Sequence, residues 1–166
     1  AMLFNPTVRE ELAYGPTQLG LADVECRVKR WADELGLVPL LDKPPFLLSG
    51  GQKQKVALGC LLTVDPDLLL LDEPSASLDP ETVGWLVDTL LHSAKTVVVA
   101  THNLSLAAEL GERCIVLGER GEVLFDGPTQ MALTGINLLE RAGLAHRHRH
   151  QHGNVEHAHV HAHDWN

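Results

Sequence analysis

The chain has 166 residues, of which 45% are hydrophobic and 21% charged, a composition that fits a globular domain with its own core and excludes a disordered one. Its formal net charge of -9 argues against a nucleic-acid-binding surface, which needs a basic stripe. No apolar run approaches the roughly eighteen residues that a membrane-crossing helix requires, so membrane association is expected to go through a partner.

The chain opens Ala1-Met2-Leu3-Phe4-Asn5-Pro6, without the basic region and apolar stretch of a secretory leader; Met2 reads as the assigned start and Ala1 as a cloning remnant. Thr7 and Glu10 have capping-box spacing, a hydroxyl at the N-cap and a glutamate three residues on, and the short helix they open is expected to end at Gly15-Pro16. A second helix is predicted over 22–35, with Val24, Val28, Trp31 and Leu35 on one face. Pro44-Pro45 closes that segment in an extended conformation. Ser49 then caps a helix over 51–63, which Asp65-Pro66-Asp67 ends.

From here the pattern becomes strand, helix, strand. The apolar run 68–71 is expected to be a parallel strand covered on both faces. Helix 80–92, a second buried strand over 95–100 and helix 104–110 follow. Residues 114–118 and 122–125 read as a hairpin turned at Glu119-Arg120-Gly121, and a last helix is predicted over 136–144. The three cysteines, Cys26, Cys60 and Cys114, are odd in number and lack metal spacing, so they read as reduced core thiols of a cytosolic protein.

Two constellations carry chemistry. Ser49-Gly50-Gly51-Gln52 sets a hydroxyl and two unhindered backbone N–H groups at a helix N-terminus, an end with unpaired donors and partial positive charge that suits a phosphate. Alone, the same residues also describe an ordinary Ser-capped helix after a glycine turn. Asp72 and Glu73 end an apolar strand, where open α/β sheets place their ligands and where carboxylates can hold magnesium and activate water; the bland alternative is two exposed turn carboxylates. A phosphate loop of the form G-x-x-x-x-G-K-S/T does not occur in the sequence.

In this order, Leu48-Ser49-Gly50-Gly51-Gln52 with Lys53-Gln54-Lys55 after it, and then Leu68-Leu69-Leu70-Leu71-Asp72-Glu73-Pro74-Ser75, resemble the ATP-binding cassette (ABC) ATPases. The resemblance implies that Ser49, Gly50, Gly51 and Gln52 are the signature motif, which contacts ATP bound by the opposite subunit of a dimer. It implies that Asp72 holds Mg²⁺ through water as the Walker B aspartate and that Glu73 polarises the attacking water. Ser77-Leu78-Asp79 is similar to the D-loop, which crosses the dimer interface, and His102 is similar to the switch histidine that contacts the γ-phosphate. Leu3-Phe4-Asn5-Pro6-Thr7-Val8-Arg9-Glu10-Glu11-Leu12-Ala13-Tyr14-Gly15-Pro16 is similar to the segment just after the Q-loop in cobalt, nickel and vitamin importer ATPases of the energy-coupling-factor type.

The fold so implied is α/β, the C-terminal part of an ABC-type P-loop NTPase domain: a helical signature subdomain over about 1–64 and an incomplete parallel-sheet core over about 65–144. With the first strand and the Walker A loop lacking, apolar sheet surface is expected to stand uncovered, costing several kcal/mol at roughly 25 cal/mol per Å². The expected cofactors are ATP and Mg²⁺, and the expected partners a second ATPase subunit and the transmembrane subunits of an importer, with no nucleic acid. The expected location is cytoplasmic, on the inner face of the cell membrane.

Residues 145–166 form a tail expected to be disordered, carrying His146, His148, His150 and His152, then His157, His159, His161 and His163. Alternating histidines in an extended chain can share a borderline metal such as Ni²⁺, Co²⁺ or Zn²⁺, binding that weakens in mild acid. A purification tag and a merely solubilising tail are the other readings. Taken together, the sequence predicts an ATP-hydrolysing importer subunit for nickel or cobalt, truncated and inactive alone. The alternatives are a non-catalytic half-subunit that completes a partner's site and a metal-binding module on a vestigial core.

Overall fold

A computed structural model describes residues 3–152 and 155–162, with side chains as far as Ala145. It divides into two compact units, 1–99 and 100–166.

In the first unit, helix α1 (Val8–Gln18) starts as its sequence dictates: the Thr7 hydroxyl accepts from the Glu10 N–H and the Glu10 carboxylate accepts from the Thr7 N–H. The helix does not stop at Gly15-Pro16; it runs through Pro16 to Gln18. Proline has no N–H, so the Leu12 carbonyl loses its partner one turn on. The buried Thr63 hydroxyl donates to that carbonyl instead, at 3.1 Å, and Gly15 leaves space in which a Cβ would stand 2.7 Å from Val64 Cγ2. The proline is thus absorbed by the neighbouring helix rather than ending its own.

Helix α2 (Val24–Glu34) and helix α3 (Gly50–Val64) complete this lobe, with short 3₁₀ turns at Val38–Leu40 and Pro45–Leu47 between them. Its core is Val8 and Leu12 of α1, Val28 and Ala32 of α2, and Val56 of α3, closed by Leu35, Leu37, Leu41 and Leu48. Gly59 sits where α3 passes close to α1: a Cβ there would meet Leu12 Cδ2 at 2.6 Å.

Strand β1 (Leu68–Asp72) lies beside β2 (Thr96–Ala100), and helix α4 (Pro80–Leu91) connects them. Burial alternates along β1. Leu69 and Leu71 are buried, meeting Leu58 and Leu62 of α3 and Leu86 and Leu90 of α4 around a small apolar space. Leu68, Leu70 and, on β2, Val98 are 49%, 68% and 53% exposed. The expectation of a strand covered on both faces is therefore corrected: helices cover one face, and the apolar residues of the other stand open, as the expectation of uncovered sheet surface anticipated.

The second unit holds helix α5 (Leu104–Leu110), the antiparallel pair β3 (Arg113–Leu117) and β4 (Val123–Pro128), and helices α6 (Thr129–Thr134) and α7 (Ile136–Arg141). The predicted hairpin is present, and α6 is an element that the sequence reading passed over. Strands β5 (Ala145–His152) and β6 (Val155–Ala162) pair antiparallel where a disordered tail was expected.

Of the cysteines, Cys26 is exposed rather than in the core, while Cys60 is mostly covered and its thiol, pushed by burial to about 12, stays neutral. Among the described residues no helix is long and apolar enough to cross a membrane.

Candidate functional site

The residues singled out between 49 and 79 converge within the first unit. Ser49 caps α3: its hydroxyl accepts from the Gln52 N–H at 3.3 Å and its own N–H donates to Gln52 Oε1 at 3.0 Å. This capping box fixes the turn and still leaves the Ser49 hydroxyl proton to donate outward. Gly50 and Gly51 form the first turn of the helix, and there the loop after β1 comes against it. A Cβ on Gly51 would stand 2.5 Å from the Ser77 carbonyl oxygen, so only glycine lets the two backbones meet. One turn further along α3, Gln54 Nε2 donates to the Pro74 carbonyl at 3.3 Å.

That loop is wound tightly. Asp72 ends β1 exposed; Glu73, half-buried, takes a φ of 43°, and Ser77 a φ of 63°. Both are left-handed conformations that non-glycine residues adopt at a cost. Two turns hold them, the Ala76 N–H on the Glu73 carbonyl and the Leu78 N–H on the Ser75 carbonyl, both at 3.1 Å, around a buried Pro74.

Asp79 closes the loop and caps α4. Its carboxylate accepts from the Thr82 N–H at 2.9 Å and from the Thr82 hydroxyl, and Lys55 Nζ lies 3.1 Å away. The Thr82 backbone N–H, then its hydroxyl, then Lys55 hold this carboxyl well below the usual carboxylate range. Helix α3 and the loop after β1 are thus joined at three successive points: Gly51 on Ser77, Gln54 on Pro74, and Lys55 on Asp79. The Lys55–Asp79 pair went unnoticed in the sequence because twenty-three intervening residues separate partners that no short-range pattern links; the Asp79-Pro80 start with Thr82 three residues on was a legible cap signal.

His102 belongs to the second unit, in the turn between β2 and α5, where Asn103 caps α5 by accepting from the Leu106 N–H and donates its own N–H to the Thr101 hydroxyl. The side chains of His146, His148, His150, His152, His157, His159 and His161 lie outside those described, and His163 lies outside the described residues altogether. Among the described residues no group of three or more His, Cys, Asp or Glu side chains is placed to hold a metal ion.

The hydroxyl-capped glycine turn thus packs on the loop that carries the strand-end carboxylates, and these are the two stretches on which the resemblance to the ABC ATPases rests. Residues 2–76 match the ABC transporter family. An ABC transporter ATP-binding protein of Methanosarcina acetivorans is 43% identical over 149 residues, covering 87% of this chain and 54% of that protein. The nickel import ATP-binding protein NikO of Rhodobacter capsulatus is 41% identical over 150 residues, covering 86% of this chain and 59% of NikO. The chain spans a little over half the length of these relatives. Among solved structures, cbiO1 of Clostridium perfringens, part of the ABC transporter complex cbiONQ, superposes with a TM-score of 0.67 at 28% identity, over 84% of this chain and 59% of that one. An inward-facing metal-chelate type ABC transporter shares the fold with a TM-score of 0.74 at 22% identity, over 98% of this chain and 69% of that one.

The chain carries an ABC transporter ATP-binding domain, of which it spans a part, with the α/β fold of that family.

Proposed function

We propose that residues 1–144 are the C-terminal part of an ATP-hydrolysing subunit that energises import of a transition metal ion, nickel or cobalt, of the energy-coupling-factor type. The observation that carries this reading is the three-point junction between α3 and the loop after β1, which fastens the glycine turn to the strand-end carboxylates. The metal class draws support from the likeness to NikO and to cbiO1.

The residues present fit Mg-ATP in the family's manner. Ser49 keeps a hydroxyl proton to give, and Gly50 and Gly51 bring backbone N–H groups to a helix N-terminus free of side chains, so this face serves a nucleotide held by a second ATPase subunit. Asp79 and Ser77 lie on the same face. By the resemblance, Asp72, exposed at the end of β1, would hold magnesium and Glu73 would orient and polarise the attacking water; His102, which belongs to the second unit, would take the part of the family's switch histidine. When bound, Mg-ATP supplies the phosphoryl group transferred to that water.

The open face carrying Leu68, Leu70 and Val98 is where the remainder of the domain packs, including the phosphate loop that this sequence does not carry. The subunit works on the cytoplasmic face, bound to transmembrane subunits of the importer. The histidine-rich segment over 145–166 is a separate region that takes up Ni²⁺, Co²⁺ or Zn²⁺.

Calorimetric titration of residues 1–166 with Mg-ATP tests the incompleteness directly. No saturable binding in the micromolar range is expected, and saturable binding there would overturn it. In the native polypeptide, isolated from its source cells, Glu73→Gln should cut ATP hydrolysis by about 100-fold or more, the span of a lost general base, while ATP binding persists. Unchanged hydrolysis would remove Glu73 from the reaction.

A further inference from the structure

The pairing of β5 with β6 sets histidine opposite histidine on three successive same-face rungs: His146 with His161, His148 with His159 and His150 with His157. Between them Arg147 pairs with Val160 and Arg149 with Ala158, so the other face of the ladder holds no histidine pair at these positions. A shift of register by one residue would bring every one of the six opposite a non-histidine.

We infer that this hairpin is a clasp for a borderline divalent cation, in which two adjacent rungs supply four imidazoles and the ion holds the strands in this register. The inference deepens the proposal that the segment takes up metal and rests on it. The spacing suits the chemistry. Cross-strand partners lie about 4.5–5.5 Å apart and second neighbours along a strand about 6.8 Å. The backbone register alone places four histidine positions at the corners of such a rectangle, and imidazole nitrogen is a ligand that borderline divalent ions accept. The rung His148–His159 is shared by both possible four-imidazole sets and is the centre of the clasp. Neutral imidazoles are the ligands, so uptake releases protons and weakens in mild acid. An isolated two-stranded hairpin is marginal in water, which is why an ion bridging the strands would couple its own binding to their pairing.

The test is calorimetric titration of the tag-free chain 1–166, stripped with a chelator, with Ni²⁺ alone. His148→Ala and His159→Ala should each weaken the tightest site by about tenfold or more, and the double variant should fall little further, because either loss breaks the same rung. One alanine inserted between Ala158 and His159 should weaken that site comparably although every histidine remains, because it moves His159 and His161 off the face of His157. Equal thermal midpoints of the metal-free variants check that the rest of the chain is unaltered. A loss that merely follows the number of histidines, with no effect of the insertion, would overturn the clasp and leave metal uptake standing. Failure of the unaltered chain to bind Ni²⁺ saturably would overturn both.

Discussion

Gly51 and Ser77 meet backbone to backbone: a Cβ added to the glycine would stand 2.5 Å from the serine carbonyl oxygen. Neighbouring Gly50 has no such constraint, since its Cβ would meet Ser77 Cβ at 3.8 Å, an ordinary contact. The two glycines of the motif therefore answer differently to the same substitution. Gly51→Ala must push α3 away from a loop already strained at Ser77 and should destabilise the first unit by about 1–3 kcal/mol, the range for overpacking a close contact. Gly50→Ala should be neutral or slightly stabilising, because alanine favours a helix by up to about 1 kcal/mol over glycine. Urea unfolding of the two variants decides it, and equal midpoints would show that the contact carries no energy.

Asp79 predicts a pH dependence with a defined sign. Its folded carboxyl is held below the ordinary value of 3.8 by the Thr82 N–H, the Thr82 hydroxyl and Lys55. The unfolded chain therefore takes up this proton first, and the stabilisation is present above 3.8 and lost as pH falls through the folded value. Asp79→Asn keeps a competent helix cap and removes only the charge. The gap between wild-type and Asp79→Asn urea midpoints should stay constant from about pH 7 to pH 5 and close in stronger acid. Lys55→Ala should reproduce a smaller part of that gap, and less at high salt, because the Asp79 carboxylate is half exposed and Lys55 is the weakest of its three supports. A gap that widens in acid would contradict the assignment.

What could be read from the sequence, and what could not, divides by the range of the interaction. Helix starts at Thr7 and Ser49 were legible because a cap stands at the first turn of its own helix, the Asp79 cap was equally local but passed over, and the apolar run at β1 declared a strand by composition. The family was legible because the glycine turn and the carboxylate pair are each contiguous. The end of α1 was misread for the opposite reason: the donor that meets the Leu12 carbonyl, left without its helical partner by Pro16, is Thr63, far along the chain. Coverage of β1 was misjudged because an unbroken run of leucines looks alike whether one face is packed or two, and only the neighbours Leu58, Leu62, Leu86 and Leu90 reveal which. The junction of Lys55 with Asp79 is likewise a product of packing, since neither residue signals the other.

The compensation at Pro16 can be measured as a coupling. Thr63 is fully buried, and its hydroxyl lies 3.1 Å from the Leu12 carbonyl and 3.0 Å from the Cys60 carbonyl. Thr63→Val keeps the shape and deletes the donor, leaving the Leu12 carbonyl buried with neither its helical partner nor its substitute, a loss of about 1–3 kcal/mol. Pro16→Ala restores an N–H at the position from which the helix would supply that carbonyl. In the Pro16→Ala background Thr63→Val should therefore cost clearly less, and the double-mutant cycle should return a coupling of about 0.5 kcal/mol or more. Urea unfolding of the four proteins gives the answer. Equal costs in both backgrounds would mean that the hydroxyl stabilises α3 through Cys60 alone and that the helix tolerates Pro16 for another reason.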